Sequence, residues 1–167
     1  MRTLTASVSF LALVLLAPAA RAAEGELVLA FEPGYALLSG EATAQHGGSG
    51  AGSAWIGLSD ELWLAFGGGA GYVGADDPVG ARRYGEAFGG IVAALDVFRT
   101  IPFLEAQIGM VTSSDVLSPT VRIGLGADYF VSRTLSVGLV ARVRPVREDI
   151  GGTLLTASLR LAWRIAL

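Results

Sequence analysis

His46 is the only histidine of the 167-residue chain, and near it stand Glu41, Ser49 and Ser53, the residue types of a Ser–His–carboxylate hydrolase. That chemistry needs the base fixed against the nucleophile and a third group fixed against the base. All four fall in or beside a run of small and polar residues, Ser39 to Gly48, which reads as a loop and offers nothing to hold such a geometry. The expectation is a solvated loop histidine and no catalytic residue. Asp76-Asp77, Asp115 and Glu148-Asp149 bring carboxylates that could ligate a divalent cation, but they lack the spacing of a calcium loop. They read as solvated rim charge, so neither metal nor cofactor is expected. Gly67 to Gly71 leads into no helix and is no phosphate-binding loop. The absence of cysteine excludes thiolate catalysis, thiolate metal sites and disulfides. Arg82-Arg83 carries guanidinium groups suited to phosphate oxygens; the two readings are a contact with lipopolysaccharide phosphates and an ordinary loop charge pair.

The other charges carry a pattern. Glu32, Glu86, Asp96, Glu105 and Asp128, with Arg122, Arg142, Arg144, Arg160 and Arg164, stand on the polar parity of segments that alternate apolar and polar. A period of two is the signature of a strand with one greasy face. It is clearest at the C-terminus, where Leu155, Ala157, Leu159, Leu161, Trp163, Ile165 and Leu167 share one parity and Arg160 and Arg164 the other. Leu135 to Arg144 repeats the pattern, and Glu148 to Gly152 makes the pair a hairpin. Because the alternation runs to Leu167, this strand is expected to be integral, closing a barrel.

Six earlier segments complete the set: Glu26–Leu38, Ser53–Leu58, Leu62–Val73, Tyr84–Val97, Phe103–Val111 and Val121–Phe130, with Pro102 tolerable at a strand's first residue. The total is about eight strands, many near the roughly 9–11 residues that a tilted strand needs to cross a bilayer. Connections at Ser59, Arg99 and Ser132 are short, while Ser39–Gly48 and Gly74–Arg83 are longer. Short periplasmic turns and longer outer loops are the asymmetry of an outer-membrane barrel.

Glycine sets the phase. Gly67, Gly69, Gly71, Gly90, Gly109, Gly124, Gly126 and Gly138 share the charged parity. A solvent-facing strand is weakened by such residues, whereas a narrow lumen crowded by Arg and Glu needs small neighbours. The charged face is therefore expected inside, its five acids and five arginines paired. Glu86, Arg122 and Arg142 are placed towards the outer end, Glu32, Gln107 and Arg160 near the middle, and Asp96, Glu105, Asp128 and Arg164 towards the periplasm. The opposite phase would put arginines into lipid, at roughly 2–4 kcal/mol each near the midplane. Trp163, Tyr129 and Tyr72 then face outward near strand ends as interfacial aromatics.

The N-terminus reads as an export signal. Arg2 precedes the apolar run Phe10 to Leu16, and Ala20-Arg21-Ala22 supplies the small residues of a cleavage site. Residues 1–22 are expected to be removed, leaving 23–167 as one barrel domain. Without Arg2 and Arg21, ten of the 12 basic residues remain, all Arg, against 15 acids, a formal charge of −5. That mildly acidic balance argues against nucleic acid or an anionic lipid face as a general partner.

The chain resembles the small eight-stranded outer-membrane barrels, the group that includes the transmembrane domain of outer-membrane protein A and its short relatives. The resemblance covers about Gly25 to Leu167. It includes the terminal strand, where Leu159, Leu161, Trp163, Ile165 and Leu167 match the alternating signal read by the barrel-assembly machinery; members usually end in an aromatic, and here the last residue is Leu167. The resemblance implies an all-β, up-and-down transmembrane barrel in the outer membrane, in contact with outer-membrane lipid and lipopolysaccharide. A monomer is expected, non-enzymatic, with a structural or surface-interaction role and a closed, charge-paired lumen. The rival readings are a narrow conduit lined by Trp55, Trp63 and Phe88, and a secreted lipocalin-like carrier.

Overall fold

The computed structural model describes residues 25–40, 44–74, 82–95, 99–113, 116–146 and 152–167. The proposed signal segment, Glu41, Asp76-Asp77, Asp96, Asp115 and Glu148-Asp149 lie outside them. Eight antiparallel strands form one closed barrel: β1 (Glu26–Ser39), β2 (Ala44–Gly57), β3 (Leu62–Val73), β4 (Arg82–Ala94), β5 (Thr100–Ser113), β6 (Val116–Phe130), β7 (Leu135–Val146) and β8 (Gly152–Ala166). Each strand pairs with its sequence neighbours, and β8 closes on β1 through Leu27↔Ile165 to Ser39↔Thr153. The last residue joins in, the Leu167 amide donating to the Gly25 carbonyl at 2.7 Å. Closure leaves no unpaired edge, the condition for a sheet to sit in lipid.

Two turns carry the same local device. In Ser59 to Leu62 and Ser132 to Leu135 the serine hydroxyl accepts the amide of the leucine three residues on, at 3.1 Å in each. The serine thereby folds the chain back within four residues.

The strands have 12 to 15 residues, and most run longer than their alternation suggests. β2 starts at Ala44 rather than near Ser53, so His46, Gly47 and Gly48 are strand residues, and only four residues separate β1 from β2. Glycine-rich Gly47 to Gly52 lacks the side chains that would display a period, yet its backbone pairs on both sides, Gly50 with Pro33 and with Ala70. β4 likewise starts at Arg82 and ends at Ala94, β5 starts at Thr100 with Pro102 its third residue, and β6 starts at Val116. The connection at residues 74–81 remains the longest, and the expected contrast between long and short connections is correspondingly weaker.

The two faces are unlike. Leu104, Ile108, Leu125, Leu139 and Leu159 point outward and are all more than half exposed, whereas Glu32, Glu105, Gln107 and Arg160 are sealed inside. An apolar exterior around a charged interior is the reverse of a soluble calyx, and it removes the basis of the lipocalin-like reading. The interior is layered. One apolar cluster, Val28, Ala30, Trp55, Trp63, Val92, Phe103 and neighbours, fills the end where Gly25 and Leu167 lie. A second, Ala36, Leu38, Val73, Tyr84, Val111, Val146 and Leu154, fills the opposite end.

Candidate functional site

Between the two apolar layers the charged side chains form a single chain of alternating sign. Arg144 Nη1 donates to Glu86 Oε2, and the other oxygen of Glu86 faces Arg122 Nη1 at 3.3 Å. Arg122 Nε lies 3.8 Å from Glu105. Glu105 takes a two-pronged contact from Arg142, Nε to one oxygen and Nη2 to the other at 3.2 Å. Arg142 Nη1 reaches across to Glu32 Oε2 at 2.5 Å. Glu32 also accepts Arg160 Nε at 3.1 Å and the Ser53 hydroxyl at 3.3 Å, and Arg160 Nη1 ends the chain on Asp128. No like charges are adjacent in this order. Each link offsets the desolvation of its neighbours, which is the condition for burying seven of these ions and partly burying Glu86.

The arginines are also stacked. Arg122 lies 3.4 Å above the Phe88 ring and Arg160 3.7 Å above Trp55; Arg164 sits over Phe130 and Trp63 at 4.6 and 5.4 Å. Desolvated guanidinium-on-ring contacts of this kind contribute up to about 2 kcal/mol. The inward aromatics therefore pack under cations instead of lining an apolar passage.

Glycine makes the room. Tyr84, Glu86 and Phe88 on β4 stand opposite Gly71, Gly69 and Gly67 on β3. Phe103 and Glu105 on β5 stand opposite Gly126 and Gly124 on β6. A Cβ on Gly71 would lie 2.6 Å from Tyr84 Cζ, one on Gly67 2.8 Å from Phe88 Cζ, and one on Gly124 2.8 Å from Glu105 Cγ. Each large inward side chain thus lies down across the glycine of the adjacent strand.

The residues singled out by sequence fall as follows. Glu32, Glu86, Glu105, Arg122, Asp128, Arg142, Arg144 and Arg160 are the chain itself. Arg164 pairs with Glu26, its Nη1 at 3.3 Å. Glu26 was not anticipated, although it shares the parity of Glu32. Glu105 meets Arg122 and Arg142, which the sequence places further out, because strand tilt and stagger bring different sequence depths to one level. Leu159, Leu161, Trp163, Ile165 and Leu167 all face outward, and Leu159 stands opposite Leu139.

The hydrolase types are not assembled. His46 points out of the barrel, its Nδ1 hydrogen-bonded to the Tyr35 hydroxyl. Ser49 and Ser53 have the inward parity, Ser53 on Glu32. Base and hydroxyls therefore lie on opposite faces of β2. Among the described residues no group of three or more His, Cys, Asp or Glu is placed to hold a metal ion.

No family model and no curated protein matches the sequence. Solved structures match the fold. Neisserial surface protein A superposes with a TM-score of 0.69 at 16% identity, covering 86% of this chain and 97% of that one. Ail, the attachment invasion locus protein of Yersinia pestis, gives 0.58 at 13% identity over 85% and 99%. The outer membrane enzyme PagL gives 0.50 at 18% identity over 81% and 97%. The chain has the fold of the small eight-stranded outer-membrane β-barrels, with the apolar exterior of a transmembrane barrel.

Proposed function

We propose that this outer-membrane barrel is a non-enzymatic, closed barrel that serves a structural or surface-interaction role. The observation that carries the reading is the alternating chain of eight charges, seven of them buried and Glu86 partly so, bounded by an apolar layer at each end. A water path would need several links to open together, and an ion left alone in such a site costs several kcal/mol. The fold leaves catalysis open, since PagL is an enzyme; the case against it here is the separation of His46 from Ser49 and Ser53 across β2. Lipopolysaccharide and the assembly machinery are the partners this reading implies. The first would be met by the outward face and the second through Leu159, Leu161, Trp163, Ile165 and Leu167. Recording in a planar lipid bilayer tests the closed lumen. The wild-type protein is expected to give only rare, small events, and steady porin-like conductance would overturn the reading in favour of the conduit.

A further inference from the structure

The outward face of the described strands is apolar almost throughout, and its one charge stands beside a wide hollow. Among the described strand residues of outward parity, Arg83 is the only charged one. Register places it in a row with Tyr35, Gly48 and Tyr72 across β1 to β4: Tyr35↔Gly48, Gly48↔Tyr72, Tyr72↔Arg83. The row lies towards the end opposite Gly25 and Leu167. Tyr129 and Trp163 mark the other end of the outward face, both half exposed, so Arg83 sits at the level of an aromatic girdle, where headgroups begin.

The next row towards mid-barrel is Pro33, Gly50, Ala70 and Gly85, and the row after it Phe31, Gly52, Gly68 and Ala87. Three adjacent strands thus present almost no side chain between Phe31 and Pro33 on β1 and Met110 and Thr112 on β5. The result is a groove of about 840 Å³ with Arg83 and Tyr72 on its rim and Gly50 and Ala70 on its floor. The floor spans two strand spacings, roughly 10 Å. A guanidinium at headgroup depth favours a phosphate, and a bare backbone below it leaves space that a side chain would otherwise fill.

The geometry points to a bound lipid: a phosphate-bearing lipopolysaccharide of the facing leaflet, its phosphate on Arg83 and one acyl chain along Gly50, Ala70 and Gly52. The site rests on the membrane-barrel reading and goes beyond it by naming one occupant at one place. Arg83 supplies charge complementarity, which a second copy of this apolar face would not, since two copies would bring two Arg83 rows together.

The groove can be filled without disturbing the sheet. A Cβ on Gly50 meets nothing within 4 Å, and one on Gly52 meets only the Ala30 carbonyl at 3.9 Å. Wild type, Gly50→Leu, Arg83→Gln and, on the far side of the barrel, Ala127→Leu would be refolded in detergent. Each would be titrated with diphosphorylated lipid A, its dephosphorylated form, or phosphatidylethanolamine, and native mass spectrometry would count retained lipid. Wild type and Ala127→Leu are expected to retain one diphosphorylated lipid A, with affinity about tenfold weaker in Gly50→Leu and in Arg83→Gln. Dephosphorylated lipid is expected to bind wild type only as well as it binds Arg83→Gln. Equal retention by all four proteins, no preference for the phosphorylated form, or a dimer abolished by Gly50→Leu would each overturn the site. Heat-modifiable gel mobility of the same samples reports barrel formation separately, so loss of the lipid site with an intact barrel is distinguishable from failure of the barrel reading.

Discussion

Replacing Arg160 by alanine removes the most enclosed link of the charge chain. The side chain has no exposed surface, and it joins Glu32 to Asp128 while lying on the Trp55 ring. Its two carboxylate partners are not left in the same state. Glu32 keeps Arg142 at 2.5 Å and the Ser53 hydroxyl. Asp128 keeps only the longer-range attraction of Arg164, and its Oδ1 is already without a hydrogen bond. Stranding one partner of a buried pair costs about 3–5 kcal/mol, and the loss of the guanidinium stacked on Trp55 adds to it. Arg160→Ala should therefore destabilise the refolded barrel by at least about 3 kcal/mol. Arg160→Met combined with Asp128→Leu removes both charges and refills the volume, and it should recover most of that loss, because apolar replacement of a whole buried pair is often neutral. Reversible urea unfolding in lipid vesicles, followed by tryptophan fluorescence, measures both. A loss under about 1 kcal/mol for the single variant, or a double variant no better than the single, would refute the network energetics argued here.

Leu159→Arg should impair insertion by about 2–4 kcal/mol, because Leu159 faces lipid opposite Leu139, while Leu159→Phe should be tolerated; normal assembly of the arginine variant, read by gel mobility, would mean that the faces are reversed. Deleting Leu167 removes the amide that closes on the Gly25 carbonyl together with the last residue of the terminal alternation. Barrel yield in cells should then rise more slowly than for a change in residues 74–81, and equal kinetics would count against a terminal signal. Gly124→Val should prevent Glu105 from lying between β6 and Arg142 and lower the unfolding midpoint, whereas Gly50→Ala should leave it unchanged; equal midpoints would contradict the packing role of the lumen glycines.

Much of this was legible in sequence because a barrel writes its two faces as a period of two. Leu62–Val73 emerges with the same bounds in both readings, since Leu64 and Phe66 oppose Trp63 and Ala65. The charged residues were readable as one face because each shares its strand's polar parity. What stayed hidden has two physical causes. In β2 the outward residues Gly48, Gly50 and Gly52 and the small inward ones between them leave no contrast for a period to show, so strand passed for loop and His46 was misplaced. The groove over those glycines was invisible for the same reason, and it needed the register of four strands to set Tyr35, Gly48, Tyr72 and Arg83 in one row. Partner choice within the lumen was hidden too, since which Arg meets which Glu depends on stagger between strands. Parity says nothing about stagger.

That stagger is what the charge chain itself fixes. A slip of one residue between two strands would turn the lumen charges of the slipped strand into lipid and is excluded by the period alone. A slip of two residues keeps each side chain on its face, and hydrophobic pattern cannot forbid it on the outside, where one leucine replaces another against lipid. Inside, the same slip moves a strand by roughly 7 Å. If β6 moved so against β5, Arg122 would leave both Gln107 and Glu105, and Gly124 would leave its place opposite Glu105. The β4 triplet of Tyr84, Glu86 and Phe88 would retain only two of its three opposing glycines after a two-residue shift of β3 in either direction. Buried ion pairs add little net stability over an apolar filling, but they penalise each misregistered barrel by the full cost of a stranded charge. The alternating chain acts chiefly on specificity: it selects one closure among the several that an apolar exterior would accept.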